Sequence, residues 1–293
     1  MAKKADRRAQ GTAGKPERIP DRSSYLDPDT YRYSRYPVEQ AHSLIPAAYH
    51  DPAFFEVEQE MVYRRSWVVA GTLDKVREPG SLMTCEIGGR SVIVVRDLEG
   101  TLRAFHNVCR HRGNRLCHED GNPGKHLRCC YHGWGYDLKG NCIGTPLFEH
   151  NEADPATLEA FDMSHVKEFD KKDYGLLPVR CETWGFLVFV CLDDAAPPLL
   201  EHLGDLPERL KDHQLETWTA HSTCNYEIEA NWKLVAENYV EYYHLPWVHP
   251  RLAKTSRVDD HHRWQGRGMY CAITTYPLTQ TDDSDWLNLA PIS

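Results

Sequence analysis

Hydrophobic spacing divides the chain into stretches of different texture. Residues 1–50 are rich in Pro, Tyr, Arg and Ser without a helical or strand period, which predicts an extended arm, disordered in part. Asp51 then reads as a helix cap with Pro52 at the first turn. Phe54, Phe55, Val57, Met61 and Val62 give a helical apolar stripe over 51–65. From Trp67 the period shortens to that of strands: Trp67–Ala70, Ser81–Ile87, Ser91–Arg96 and Leu102–Asn107, with Gly88-Gly89 as a hairpin turn. Tyr136–Leu138 and Asn141–Gly144 read as a second hairpin. Leu177–Cys181 and the continuously apolar Gly185–Leu192 read as buried strands. Beyond them the spacing predicts a helix over Pro198–His213 and an alternating strand over Ser222–Glu229. An Asn231-capped helix runs to about Tyr243, and a last strand covers Met269–Tyr276.

Composition narrows the possible functions. A hydrophobic fraction of 41% over 293 residues supports a sizeable core. A formal net charge of −9 gives no global basic field to recruit nucleic acid. The polar Met1–Pro20 stretch lacks the apolar centre of an export signal, and no apolar run is long enough to span a membrane, so the cytoplasm is the expected compartment. There, ten cysteines point to metal or catalytic roles before disulfides. Five of them (Cys109, Cys117, Cys129, Cys130 and Cys142) crowd one stretch together with His106, His111, His118, His126 and His132.

Within that stretch two pairs have ligand spacing. Cys109-Arg110-His111 and Cys129-Cys130-Tyr131-His132 each place one thiol and one imidazole on a tight turn. Cys₂His₂ ligation suits a structural zinc or a Rieske-type [2Fe–2S] cluster, in which two Cys hold one iron and two His the other. A zinc finger groups its cysteines together and its histidines together; here each loop brings one of each, as a dinuclear cluster requires. Cys129, not Cys130, has the two-residue spacing to His132. Cys117, His106, His118 and His126 read as bystanders.

A second constellation lies at the end of the Asn231 helix. At 3.6 residues per turn Glu237, Glu241 and His244 share a face. Pro246 ends the helix, which lets the chain bend so that His249 converges on His244. Two histidines and a carboxylate are the donor set of a mononuclear non-haem Fe(II) site with open positions for O₂ and substrate. Taken alone, the same residues read more readily as helix packing.

Cys-x-His-Arg-Gly followed by Cys-x-Tyr-His-Gly-Trp resembles the Rieske domain of ring-hydroxylating oxygenase α subunits. The run from Glu237-Asn238 to His249 resembles the iron-binding helix of the same family. The resemblance implies an α+β fold: an all-β Rieske domain over 66–180, then the N-terminal part of a helix-grip-like iron domain over 181–293, truncated at its C-terminal side. It implies that Cys109, His111, Cys129 and His132 hold the cluster and that His244 and His249 bind Fe(II). Glu241 is implied to bridge a Rieske histidine of a neighbouring subunit to the iron-site histidine. Most of the family has aspartate there; glutamate is similar to the branch acting on quaternary ammonium compounds. The tyrosines and Trp247 would suit a methylammonium cage. Cys130 departs from the proline of many relatives.

The implied activity is that of a terminal oxygenase that hydroxylates or demethylates a small organic substrate with O₂. A separate reductase or ferredoxin would bring electrons from NAD(P)H, and short inter-iron distances would call for a homo-oligomer, a trimer by resemblance. No membrane or nucleic-acid partner is implied. The family's third iron ligand, an aspartate on a later helix, has no match before Ser293. Asp282, Asp283 and Asp285 read as a solvated loop. A Rieske electron carrier without oxygenase activity and a zinc-stabilised binding module are the competing readings.

Overall fold

A computed structural model of the chain describes residues 22–148, 166–254 and 256–277. The chain divides into two compact units, Met1–Val57 and Glu58–Ser293. In the first, the described part of the expected arm is not extended. It winds into 3-10 turns at Ser24–Leu26 and Pro28–Arg35, then α1 (Ala47–His50) and the start of α2 (Pro52–Met61). Tyr25, Ala47, Ala48, Phe54 and Val57 form its core. The Tyr25 and Phe54 rings meet edge to face at 5.0 Å, and the Tyr25 hydroxyl bonds the Asp51 carboxylate. These contacts join residues nearly thirty positions apart, which local periodicity does not register.

The second unit starts with a six-stranded antiparallel sheet. Its strands are β1 (Val68–Thr72), β2 (Leu82–Ile87), β3 (Arg90–Arg96) and β4 (Leu102–His106). A three-stranded sheet follows in sequence: β5 (His126–Arg128), β6 (Gly135–Asp137) and β7 (Cys142–Gly144). Then β8 (Pro178–Trp184) and β9 (Leu187–Cys191) complete the larger sheet in the order β1-β9-β8-β4-β3-β2. The run Val92-Ile93-Val94-Val95 on β3 explains how the layers are held. Alternate side chains leave opposite faces of a strand, so Val92 and Val94 enter one core and Ile93 and Val95 another, all four with no exposed surface. Each such side chain contributes about 1.5–3 kcal/mol of apolar burial. The core that takes Ile93 and Val95 also takes Cys109, Cys129, Trp134 and Tyr136.

Past β9 the expected single helix is broken into α3 (Leu199–Leu203), α4 (Leu206–Arg209) and a 3-10 turn at Lys211–His213. The break is at Gly204, φ +60°, where a Cβ would lie 2.4 Å from the Gly268 backbone nitrogen, so only glycine fits. The alternating run 222–229 forms no strand: it is exposed and has no partner strand among the described residues. Asn231 caps α5 (Trp232–Val240) by accepting from the Lys233 N–H at 3.1 Å. This helix ends before Glu241, whose backbone is extended, and not at Tyr243 as its periodicity suggested. A short α6 (Leu245–Val248) follows, then a hairpin of β10 (Ser256–Gln265), which periodicity missed, and β11 (Cys271–Pro277). Asp282, Asp283 and Asp285 lie outside the described residues, as does the segment up to residue 21. Among the described residues no helix is long and apolar enough to cross a membrane.

Candidate redox and metal sites

The two Cys/His loops, one between β4 and β5 and one between β5 and β6, repeat a single backbone design. Cys109 N–H donates to the Asn114 carbonyl (2.7 Å) while the Cys109 carbonyl accepts from Gly113 N–H (3.0 Å). Cys129 N–H donates to Trp134 (2.8 Å) and its carbonyl accepts from Gly133 N–H (3.0 Å). Each turn reverses at a glycine with positive φ, +76° at Gly113 and +72° at Gly133. The reversal directs backbone N–H groups at sulfur: that of His111 at Cys109, and those of Tyr131 and His132 at Cys129.

The side chains named from sequence come together here as two pairs, cysteine with cysteine and histidine with histidine. Both cysteines are buried, with 2% of their surface exposed, and their thiols are within hydrogen-bond reach of each other. His132 is exposed and His111 half-buried, with ring centres 4.6 Å apart. Burial pushes the Cys109 thiol up. Burial also opposes the Cys129 thiolate, but the N–H donors of Tyr131 and His132 outweigh it and hold its pKa below the ordinary value. Burial, with the nearby His132 and Arg112, holds the His111 pKa down, so the ring is a neutral donor. Its Nδ1 is buried without a hydrogen-bond partner, and its face stacks on Trp134 at 4.8 Å and 6°. An orphaned buried imidazole nitrogen and two buried thiols on paired amide-lined loops fit a [2Fe–2S] group, which Cys109, His111, Cys129 and His132 would hold.

Residues that sequence reasoning passed over hold these loops. Tyr136, fully buried on β6, accepts from Arg110 N–H at 3.0 Å and has its hydroxyl 3.3 Å from Cys109 Sγ. With Cys109 as a thiolate, the hydroxyl is the donor to sulfur. Asn107 ties down the far side of the first loop, accepting from Leu116 and Cys117 N–H (3.1 and 2.9 Å) and donating to the Cys117 carbonyl (2.6 Å). Its place two residues before Cys109 was the signal available. Cys117, a bystander by spacing, packs against the core with its thiol pushed up to about 11 by burial. Among the described residues no disulfide joins any of the ten cysteines.

The second constellation also converges, by a route other than a shared helical face. Because α5 stops at Val240, Glu241 lies on extended backbone, and the chain turns back at His244. Glu241 then bonds the His244 ring at Nδ1 and accepts from the His244 N–H at 3.2 Å. Partial burial works against the Glu241 charge, yet the His244 contacts outweigh it and keep its pKa below the usual range. With Nδ1 engaged, Nε2 is the His244 nitrogen left for a ligand. His249 brings its ring to 5.5 Å from that of His244, at 78°. Glu237 is exposed on α5. Among the described residues no third His, Cys, Asp or Glu joins a pair closely enough to complete a site for a single ion.

The comparisons with known proteins follow the same division. The Rieske [2Fe-2S] domain family matches residues 66–169, and the ring hydroxylating alpha subunit (catalytic domain) family matches 215–286. The glycine betaine monooxygenase oxygenase subunit of Pseudomonas aeruginosa is 34% identical over 217 residues, 74% of this chain and 47% of that protein. The chloroplastic choline monooxygenase of Spinacia oleracea is 31% identical over 233 residues, 76% of this chain and 48% of that protein. The chain thus spans about half the length of the curated relatives it matches. Among solved structures, the quaternary ammonium Rieske monooxygenase CntA in complex with L-carnitine aligns with a TM-score of 0.66 and 26% identity, over 75% of this chain and 59% of that one. With its Rieske [2Fe–2S] domain followed by a stretch of ring-hydroxylating catalytic domain, the chain belongs to the Rieske oxygenase α-subunit family.

Proposed function

We propose that the chain is the electron-accepting and iron-binding part of a terminal oxygenase. Cys109, His111, Cys129 and His132 hold its cluster, and His244 and His249 supply two ligands to a mononuclear iron. The observation that carries the reading is the pairing of two separate imidazole sites in one chain. One is backed by buried thiols; the other is oriented by the Glu241 carboxylate on the His244 Nδ1. When bound, the cluster supplies electrons singly and the iron supplies a site for O₂.

The protein's own groups do the rest. Backbone N–H groups and the Tyr136 hydroxyl stabilise negative charge on sulfur, while Trp134 walls water off from His111. His132, exposed beside the exposed Tyr131, is the face a second subunit or a redox partner can approach. Glu241 fixes the His244 tautomer and stays ionised, so it can accept a further hydrogen bond from an incoming histidine. A reductase or ferredoxin is the expected donor, and a homo-oligomer, a trimer by resemblance, the expected assembly. The solved structure of a quaternary ammonium Rieske monooxygenase to which the chain is similar gives insights into inter-subunit electron transfer.

For substrate, the reading favours a quaternary ammonium compound. Tyr239, Tyr243 and Trp247 are exposed around the His244–His249 segment, and aromatic faces attract methylated cations. Glutamate at position 241 and the glycine betaine and choline relatives support the same class.

The test is spectroscopic first. Anaerobically purified protein should be brown and give a rhombic EPR signal on reduction, and should take up one further Fe(II) per chain. A colourless zinc protein excludes the cluster; no further iron leaves an electron carrier. Glu241→Gln should leave the cluster signal intact and abolish substrate-coupled O₂ consumption when betaine-type substrates are screened against aromatic acids. Normal coupled turnover in that variant removes the bridging role.

A further inference from the structure

Helix α5 ends at the His244 segment and begins on a buried ion pair. Lys233, in its first turn, reaches Glu58 on the second half of α2 with Nζ–Oε1 at 2.6 Å, both side chains 7% exposed. Glu58 Oε2 also accepts from the Trp232 indole N–H at 3.4 Å, and the Trp232 ring meets Tyr63 edge to face at 5.7 Å. A few residues on, the Arg64 guanidinium donates to the Gly88 carbonyl at 2.8 Å, in the turn between β2 and β3. The short stretch from Glu58 to Arg64 therefore grips the iron-site helix at one end and the Rieske-domain hairpin at the other.

A buried ion pair adds little net stability, because desolvation offsets most of its attraction; it adds direction. Lys233 and Glu58 fix both the tilt and the rotation of the first turn of α5. The helix is a lever of nine residues, about 13 Å at 1.5 Å per residue. A tilt of about 5° at its base moves its far end by about 1 Å, enough to spoil ligand geometry.

We propose that Glu58 and Lys233 are positioning residues for the mononuclear iron site, setting where Glu241, His244 and His249 stand relative to the Rieske domain. This rests on the reading of His244 and His249 as iron ligands given above. It goes beyond that reading by assigning a geometric role to a pair at the opposite end of the helix.

Single substitutions strand a buried charge, so the test uses pairs. The full chain carrying Glu58→Gln with Lys233→Met keeps shape and neutrality. The exchange Glu58→Lys with Lys233→Glu keeps the pair and reverses it. Each protein, with its cluster loaded, is titrated anaerobically with Fe(II). Nitric oxide then serves as probe, through the high-spin EPR signal of the iron nitrosyl.

The neutral pair should bind Fe(II) about tenfold more weakly, with a broadened nitrosyl signal and an unchanged rhombic cluster signal. The reversed pair should recover part of that loss. Wild-type affinity and line shape in the neutral pair would overturn the proposal. So would loss of the cluster signal alongside the iron, which makes the pair a general support of the fold. If the wild-type chain itself takes up no second iron, the iron-site reading falls and the positioning role with it, an outcome distinct from failure of the variants alone.

Discussion

At the scale of single residues, the chemistry of the cluster pocket depends on groups that are not ligands. The Tyr136 hydroxyl is the clearest case, since it is fully buried and directed at Cys109 Sγ. Burial first, then the adjacent Cys109, raises its pKa far above the usual phenol, so it stays protonated as a donor. Donors to cluster sulfur stabilise the reduced state. Tyr136→Phe should therefore leave the cluster assembled and lower its potential by about 40 mV, the one-electron equivalent of roughly 1 kcal/mol for a hydrogen bond. Redox titration followed by EPR checks it; an unchanged potential removes the role. Asp97 is the matching structural case. Its carboxylate, 1% exposed, bonds Arg103 Nε at 2.8 Å and accepts from Glu99 and Thr101 N–H. Burial works against its charge, but these donors outweigh it and hold the folded pKa below the usual carboxylate range. A depressed carboxylate stabilises the fold above its unfolded pKa and loses that contribution as pH falls through the folded one. Asp97→Asn should cost about 1.5–3 kcal/mol at neutral pH. The gap from wild type should close only below the ordinary carboxylate range, as measured by denaturant midpoints across pH.

At the scale of elements, the paired loops have the same backbone design but different surroundings. A Cβ on Gly113 would meet nothing within 4 Å, whereas one on Gly133 would lie 3.3 Å from both Arg128 Nη2 and Pro146 Cγ. Both substitutions to alanine carry the left-handed backbone cost of about 1–2 kcal/mol. Only Gly133→Ala adds crowding, so it should lose cluster on gel filtration faster than Gly113→Ala; the reverse order contradicts the packing account. These loops were legible in the sequence because spacing, turn glycines and ligand types all lie within a few residues of one another. The β2, β3 and β4 strands were legible for the same local reason. What escaped depends on distant partners. Helix α5 stops early because Tyr242 is drawn off to the hairpin: its hydroxyl donates to the Ser256 carbonyl at 2.9 Å and its ring lies on His261 at 3.6 Å. No periodicity over 231–243 contains that contact. The alternation over 222–229 is a strand signal without a neighbouring strand, and alternation alone describes a surface that fits a sheet, not one that forms it. The convergence of His244 and His249 was foreseen from Pro246, but the Glu241 contact forms on extended backbone where a helical turn was expected.

At the scale of the whole second unit, a few polar ties hold the His244–His249 region and its hairpin to the six-stranded sheet. The Glu58–Lys233 pair is one tie. Asp74, accepting from Ala220 N–H at 2.8 Å, is another. A third lies between α3 and α4, where Asp205 receives the Tyr270 hydroxyl, Arg267 N–H at 3.0 Å and Arg209 Nε at 2.9 Å. Arg209 in turn lies over the Trp264 ring at 4.3 Å, and Met269 N–H donates to the His202 carbonyl at 2.8 Å. The turn of the β10–β11 hairpin is thereby fastened to the helices after β9. Near its other end the same hairpin holds Tyr242 through Ser256 and His261, and Tyr242 is the neighbour of Glu241. Loosening Asp205 should therefore be felt at the hairpin first. The Tyr270 hydroxyl, with the other donors, holds the Asp205 carboxyl well below the usual carboxylate range. The fastening is complete above the ordinary carboxylate pKa and is lost only as pH falls through the depressed folded value. Asp205→Asn keeps the shape and removes the charge. Backbone amides of β10 and β11 should then exchange with solvent about tenfold faster at neutral pH, while those of β2, β3 and β4 exchange as in wild type. Mass-spectrometric hydrogen exchange on the cluster-loaded chain separates the two sets of strands. Equal acceleration in both means the ties act as one cooperative fold, and no acceleration in either means that Asp205 does not hold the hairpin.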